Sequence, residues 1–159
     1  GHHHKFQKQH LFEESTRVPF ILSVPWMSDS HGTASGHLTE LVDLYPTVAG
    51  LAGLTPPASI QGQSLLPILK DPSTKLWTKN LAFTISRSGG ESIRTPDWRF
   101  THWGFGTKGD ELYDRKNDPN EFTNLAKDPK YADRLKQLKA RLKTKRIGAG
   151  YDPKRYKLK

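Results

Sequence analysis

Chargeable side chains crowd into the first nineteen residues, GHHHKFQKQHLFEESTRVP: four imidazoles, two lysines, an acidic pair and an arginine, ending at an apolar run. Adjacent imidazoles raise metal ligation first. On an extended chain neighbouring side chains point to opposite faces, so at most His2 and His4 converge, and a metal site built from these histidines alone is not expected. A Gly-His-His-His start also resembles a purification tag. Here, though, the run continues without a linker into Lys8 and Leu11–Pro19. His31 and His37 stand in or beside a polar loop and are assigned no role.

The elements that must position these residues follow in order. Val18–Val24 (VPFILSV), bounded by Pro19 and Pro25, reads as a buried strand covered on both faces, as in an α/β sheet. Trp26–Gly36 is a loop, and His37–Val42 is a second strand candidate. Asp43 caps a helix whose Leu44, Val48, Leu51 and Ala52 share one face and which Gly53 ends. Pro56 and Pro57 lie in a connector, Thr55–Ser59. Leu65, Leu66, Ile68 and Leu69 form a short helix that Asp71-Pro72-Ser73 closes. Leu81–Ile85, Ser92–Arg94, Trp98–Trp103 and Glu111–Asp114 read as strands around the Pro96-Asp97 turn, and Arg99–Trp103 alternates as a half-buried strand should. Tyr131, Leu135, Leu138 and Leu142 make one apolar stripe on a helix over Tyr131–Arg146, which Gly148-Ala149-Gly150 stops. Tyr151–Lys159 reads as a disordered or loosely docked tail.

Four motifs in this order resemble the sulfatases. The opening stretch is similar to G-E-H-G-x-W-x-K-x-x-x-F-E-E-x-x-R-V-P, with departures at His2 and His4. Glu40–Leu54, Gln61–Leu69 and the S-I-R-T-x-x-x-R-F-T-x-W stretch Ser92–Trp103, followed by Glu111–Asp114, Asp118–Glu121 and Asn124-Leu125, are similar to the later family segments. The likeness is greatest to the iduronate-2-sulfatase-like branch. It implies the end of an α/β catalytic domain of alkaline-phosphatase-like fold, plus a small C-terminal antiparallel sheet packed on a C-terminal helix. Residues 1–54 would be the catalytic-domain remnant, 55–146 the C-terminal subdomain and 147–159 a basic tail.

The resemblance also implies a chemistry. Lys8 would contact the sulfate group and His3 would lie near it. Gln9, His10, Arg94, His102 and Trp103 would face the substrate, while Arg17 would be a structural partner for a carboxylate. The family hydrolyses sulfate esters with a formylglycine made from Cys or Ser in C/S-x-P-S-R and with a calcium ion held mostly by Asp. Bound cations and fixed Lys or His donors stabilise charge on the sulfuryl oxygens as the S–O bond breaks. This chain has no Cys and no such motif. It is therefore expected to bind neither cofactor and to be inactive alone, as the tail of a larger protein whose N-terminal catalytic part is its partner. A sulfated polysaccharide or sugar sulfate is the expected substrate. The family lives in periplasmic, extracellular or lysosome-like compartments, though no signal peptide is visible. A phosphatase or phosphonate hydrolase of the same superfamily is a further reading, which the C-terminal motifs disfavour.

Composition adds limits. No apolar run nears 18 residues, so no membrane span is expected. Zero cysteines exclude disulfides and thiolate metal sites within the chain. Tyr131–Lys159 holds 11 basic residues against Asp133 and Asp152, so the whole net charge of +9 sits there and the rest is balanced. This is a solvated helix face or, alternatively, a non-catalytic polyanion-binding module, with nucleic acid not the expected partner.

Overall fold

The computed structural model describes residues 2–87 and 89–152. The basic residues Lys154, Arg155, Lys157 and Lys159 of the sequence-assigned tail lie outside the described residues. The chain forms two compact units: Gly1–Pro19 with Phe83–Lys159, and Phe20–Ala82. These limits differ from a division near residue 55.

The first unit is built on a four-stranded sheet of order β1-β2-β3-β4, with β1 Ala82–Ile85, β2 Glu91–Arg94, β3 Trp98–His102 and β4 Asp110–Asp114. Strands β2–β3 and β3–β4 are antiparallel, and the register sets Ile93 opposite Phe100 and Phe100 opposite Leu112. Those three side chains are fully buried. Helix α4, Ala132–Gly148, packs against β2 and β3, burying Leu138 and Leu142 of the expected stripe. Its basic residues fasten it there. Arg146 reaches Glu91 (3.2 Å), Lys139 reaches Asp110 (2.6 Å), and the Arg134 guanidinium lies 5.3 Å from the centre of the Trp98 ring. The helix ends as the glycine signal requires. Gly150 takes φ +63°, its N–H donates to the Ile147 carbonyl, and the Tyr151 N–H reaches back to Arg146.

Strand β3 departs from the half-buried expectation. Arg99, Phe100 and Thr101 are all buried, because the sheet's second face is covered too. The cover is the N-terminal segment. Leu11 and Phe12 are buried, Phe12 meets the Tyr113 ring edge-on at 5.9 Å, and the one-turn helix α1, Glu13–Thr16, follows. Beyond β4, Asn124 continues the ladder with its side chain. Its Oδ1 accepts the Leu112 N–H (3.0 Å), while the Leu125 N–H donates to the Leu112 carbonyl (2.8 Å). An edge strand's unpaired groups are thus closed off.

The second unit centres on Leu65, Ile68 and Trp77, with Phe20 and Leu22 packed on them. Helix α3, Leu66–Lys70, is where the leucine pattern places it. Two strand expectations fail. Val18–Val24 joins no ladder among the described residues. Val24 is buried, while Val18 and Ile21 are exposed, so the run is covered on one side only. His37–Val42 is irregular chain running into a 3-10 turn, Leu41–Asp43. Helix α2, Leu44–Leu51, starts after Asp43 as expected and ends in the same kind of closure, with Gly53 at φ +71°. Its buried face is not the expected one. Pro46 and Thr47 are inside, whereas Leu44 and Val48 are exposed.

The reason is polar. The Thr47 hydroxyl donates to the Asp43 carbonyl (2.6 Å) and accepts the Leu65 N–H (2.8 Å). Asp43, fully buried, accepts the N–H groups of Glu40 and Gln63 (both 2.8 Å) and pairs with Lys79 at 2.5 Å. These bonds satisfy a buried carboxylate that would otherwise be costly. They also draw two chain segments so close that a Cβ on Gly62 would lie 1.9 Å from the Val42 carbonyl oxygen. Gly62→Ala is therefore expected to cost about 1–3 kcal/mol through forced backbone displacement. An unchanged urea midpoint would refute this.

Candidate functional site

The first nineteen residues are held to the sheet by a buried charge cluster. Arg94 and Arg99 are directly opposite each other on β2 and β3, a repulsive placement by itself. Glu13 relieves it. Its carboxylate lies 3.3 Å from Arg94 and 2.9 Å from Arg115, and also accepts from Arg99 Nη2. Glu121, 1 % exposed, accepts from Arg99 Nε (2.6 Å) and, through its other oxygen, from the Glu13 backbone N–H (2.9 Å). Arg99 further donates to the Thr16 hydroxyl at 3.0 Å. Burial pushes the Glu13 carboxyl up, but Arg99, Arg94 and Arg115 outweigh it and hold the group below its ordinary value of 4.5. Glu121 occupies φ +58°, a conformation that costs a non-glycine residue roughly 1–2 kcal/mol and that the two ion pairs stabilise.

This cluster fixes α1, and α1 holds the residues upstream of it. The Ser15 hydroxyl donates to the Lys8 carbonyl. His3 stacks flat on Phe12, with centroids 3.7 Å apart, and its Nε2 meets the Asn120 carbonyl at 3.0 Å. Lys8 and Gln9 are exposed. His10 is half-buried; desolvation lowers its pKa, and its Nδ1 has no partner among the described residues. His3 and Lys8 thus sit on one segment, anchored from behind by the sheet.

The other sequence-selected residues have structural contacts of their own. Arg94 donates to the Thr95 carbonyl (2.7 Å) besides pairing with Glu13. His102 Nδ1 pairs with Asp110 at 2.6 Å, and its ring packs so closely over Gly106 that a Cβ there would be 2.4 Å from Nε2. Trp103 packs on Gly90, where a Cβ would meet its ring at 2.6 Å. Arg17, expected to partner a carboxylate, is exposed; Arg94, Arg99 and Arg115 take that role.

Sequence reasoning passed over Glu13, Glu121, Glu111 and Tyr113. The last two lie on the sheet face that the N-terminal segment covers. Burial raises both, with Glu111 adding to the effect on Tyr113. The available signal was the pairing of F-E-E with the two arginines of S-I-R-T-x-x-x-R, whose side chains need a carboxylate wherever they are buried.

The family model described as N-sulphoglucosamine sulphohydrolase, C-terminal, matches residues 1–148. The delta 4,5-hexuronate-2-O-sulfatase of Bacteroides thetaiotaomicron is 36% identical over 151 residues, covering 87% of this chain and 31% of its own. A solved 2-O GAG sulfatase is 33% identical over 74% of this chain and 28% of that one, with a TM-score of 0.59. A further structure, solved in complex with its substrate D-glucosamine-2-N,6-O-disulfate, is 28% identical over 67% of this chain and 23% of that one, also with a TM-score of 0.59. The chain spans less than a third of the length of these relatives. The sheet with its C-terminal helix, the arginine-bearing strands and the match across nearly all of the sequence together place this chain in the N-sulphoglucosamine sulphohydrolase C-terminal family, the C-terminal part of sulfatases.

Proposed function

We propose that the chain is the C-terminal part of a sulfatase that hydrolyses sulfate esters of acidic sugars in glycosaminoglycan-like polysaccharides. The observation that carries this reading is the anchoring of the His3–Lys8 segment to the sheet through Glu13. Because its backbone carbonyl is held by Ser15, the exposed Lys8 is presented from a fixed point of the chain, from which its ammonium can reach a sulfate oxygen. The relatives' names support the substrate class: one acts on a 2-O-sulfated hexuronate and another on a 2-O-sulfated glycosaminoglycan. In this reading His3 lies beside the sulfate, and Gln9 and His10 border the sugar.

The whole enzyme would use formylglycine and calcium. The residues of this chain do not fit either. There is no cysteine to convert, and no serine stands in an S-x-P-S-R motif. Calcium takes six to eight oxygen ligands, whereas the convergent donors among the described residues are two imidazoles and one carboxylate. The partner would be the preceding part of the catalytic domain, with a division near residue 55 between that domain and the subdomain. Exposed Leu44, Tyr45 and Val48 on α2, and exposed Ile21 in an apolar run that makes no ladder among the described residues, support such docking.

The test is an assay of sulfated disaccharides with the 159-residue chain and with the full-length enzyme. Hydrolysis is expected from the full-length enzyme alone. Metal-dependent turnover by the short chain would overturn the assignment of the nucleophile to the preceding part. The alternative, a polyanion-binding module, is weakened because Arg134, Lys139 and Arg146 are engaged with the sheet.

A further inference from the structure

The chain's start does not run extended. His3 and His4 adopt φ +53° and +55°, and this left-handed turn breaks the alternation that would have paired His2 with His4. It brings His2 and His3 together instead, with ring centroids 4.4 Å apart, and sets both beside Glu14. One ligand atom from each of the three lies within 4.8 Å of the others. Zinc bonds of about 2.0–2.2 Å in a tetrahedron place ligand atoms roughly 3.3 Å apart, so small side-chain rotations suffice.

A second observation concerns how the rings are held. His3 Nε2 engages the Asn120 carbonyl at 3.0 Å. With its proton donated there, Nδ1 keeps a lone pair, which is the arrangement by which backbone carbonyls orient metal-binding imidazoles. His3 stacks on Phe12, and the His2 and Phe122 rings meet edge-on with centroids 4.7 Å apart. His2 Nδ1 and Glu14 Oε1 are paired with each other, which aims two of the three ligand atoms at one point.

We propose that His2, His3 and Glu14 form a binding site for a divalent transition-metal ion of the zinc class, separate from the calcium of the whole enzyme. Two nitrogens and one carboxylate oxygen suit zinc or cobalt rather than calcium. Three protein ligands leave a fourth position open to water or an anion.

The test titrates the chain with zinc by calorimetry and with cobalt by visible absorption. One equivalent should bind, with the intense bands of four-coordinate cobalt. His2→Ala, His3→Ala and Glu14→Gln should each weaken zinc at least tenfold, while His4→Ala should leave it within twofold. A synthetic Gly-His-His-His peptide should bind at least tenfold more weakly than the chain. The proposal is overturned if Glu14→Gln binds like wild type, if His4→Ala falls as far as His3→Ala, or if the peptide equals the chain. Circular dichroism confirms that each variant is folded.

Discussion

Arg99→Met is expected to lower the stability of the chain by about 3–5 kcal/mol, the usual cost of removing one partner from a buried ion cluster. Arg99 is 1 % exposed and holds Glu13, Glu121 and Thr16 at once. Without it, Glu121 stays buried with the Glu13 N–H on one oxygen and Arg115 Nε, 3.5 Å away, as its remaining cation, and Arg94 and Arg115 alone face Glu13. The methionine fills much of the volume, so the loss is electrostatic rather than a cavity. Changing Glu121→Gln in the Arg99→Met background should then recover part of the loss, because a neutral amide no longer leaves a buried charge unpaired. The pH dependence gives an independent check. The folded pKa of Glu13 lies below its ordinary 4.5, so its contribution is complete above that value and is lost as pH falls through the folded pKa. The Arg99 charge is the largest single attraction holding it down, with Arg94 adding both charge and a hydrogen bond. The gap between wild type and Arg99→Met should therefore narrow as pH drops below about 4.5. Urea midpoints from pH 7 to pH 3 measure this. A loss under 1 kcal/mol at pH 7, or a gap that widens in acid, would refute the clamp.

The parts of the fold visible in the sequence are those set by local chemistry. Gly53 and Gly150 mark helix ends because only glycine reaches φ +71° and +63° there without strain. Leu138 and Leu142 lie on one stripe because a seventeen-residue helix has one buried face, and the sheet strands stand out between Gly- and Pro-bearing turns. Other features depend on distant partners. Val18–Val24 has a strand's composition, but a strand also needs a neighbour, and the chain gives this run only the Leu65–Trp77 cluster on one side. Helix α2 turns Thr47 inward because the Leu65 N–H, eighteen residues away, needs its hydroxyl. Glu13 and Arg99 are 86 residues apart in sequence, so residue type alone hints at their pairing, and Arg17, expected to partner a carboxylate, is exposed instead. The family pattern singles out the segment carrying His3 and Lys8 as the proposed site. It could not give the left-handed turn at His3 and His4 that gathers His2, His3 and Glu14, because the contacts of His3 there, with Phe122 and the Asn120 carbonyl, come from residues more than a hundred positions away.

Lys8→Ala in the full-length enzyme is expected to reduce kcat/KM for a sulfated disaccharide by about 100- to 1000-fold, the range for removing one fixed donor from a developing oxyanion. In the short chain the same change should shift stability by less than about 0.5 kcal/mol, since the side chain is exposed and only the backbone carbonyl is held, by Ser15. That pairing of a large kinetic effect with a negligible structural one separates a sulfate contact from a packing residue. The split between constants adds detail. If Lys8 meets the sulfate equally in ground and transition states, KM rises and kcat holds; if it follows the charge that develops on the oxygens, kcat falls with kcat/KM. The fixed segment favours the second, because Ser15 and the Glu13 cluster hold the lysine's backbone in place before substrate arrives. Lys8→Arg should not rescue, as a planar fork cannot replace a point charge at the same distance. Arg17→Ala, exposed and outside the charge cluster, should stay within threefold of wild type. Equal losses at Lys8 and Arg17 would remove Lys8 from the sulfate contact and leave the segment as a structural edge.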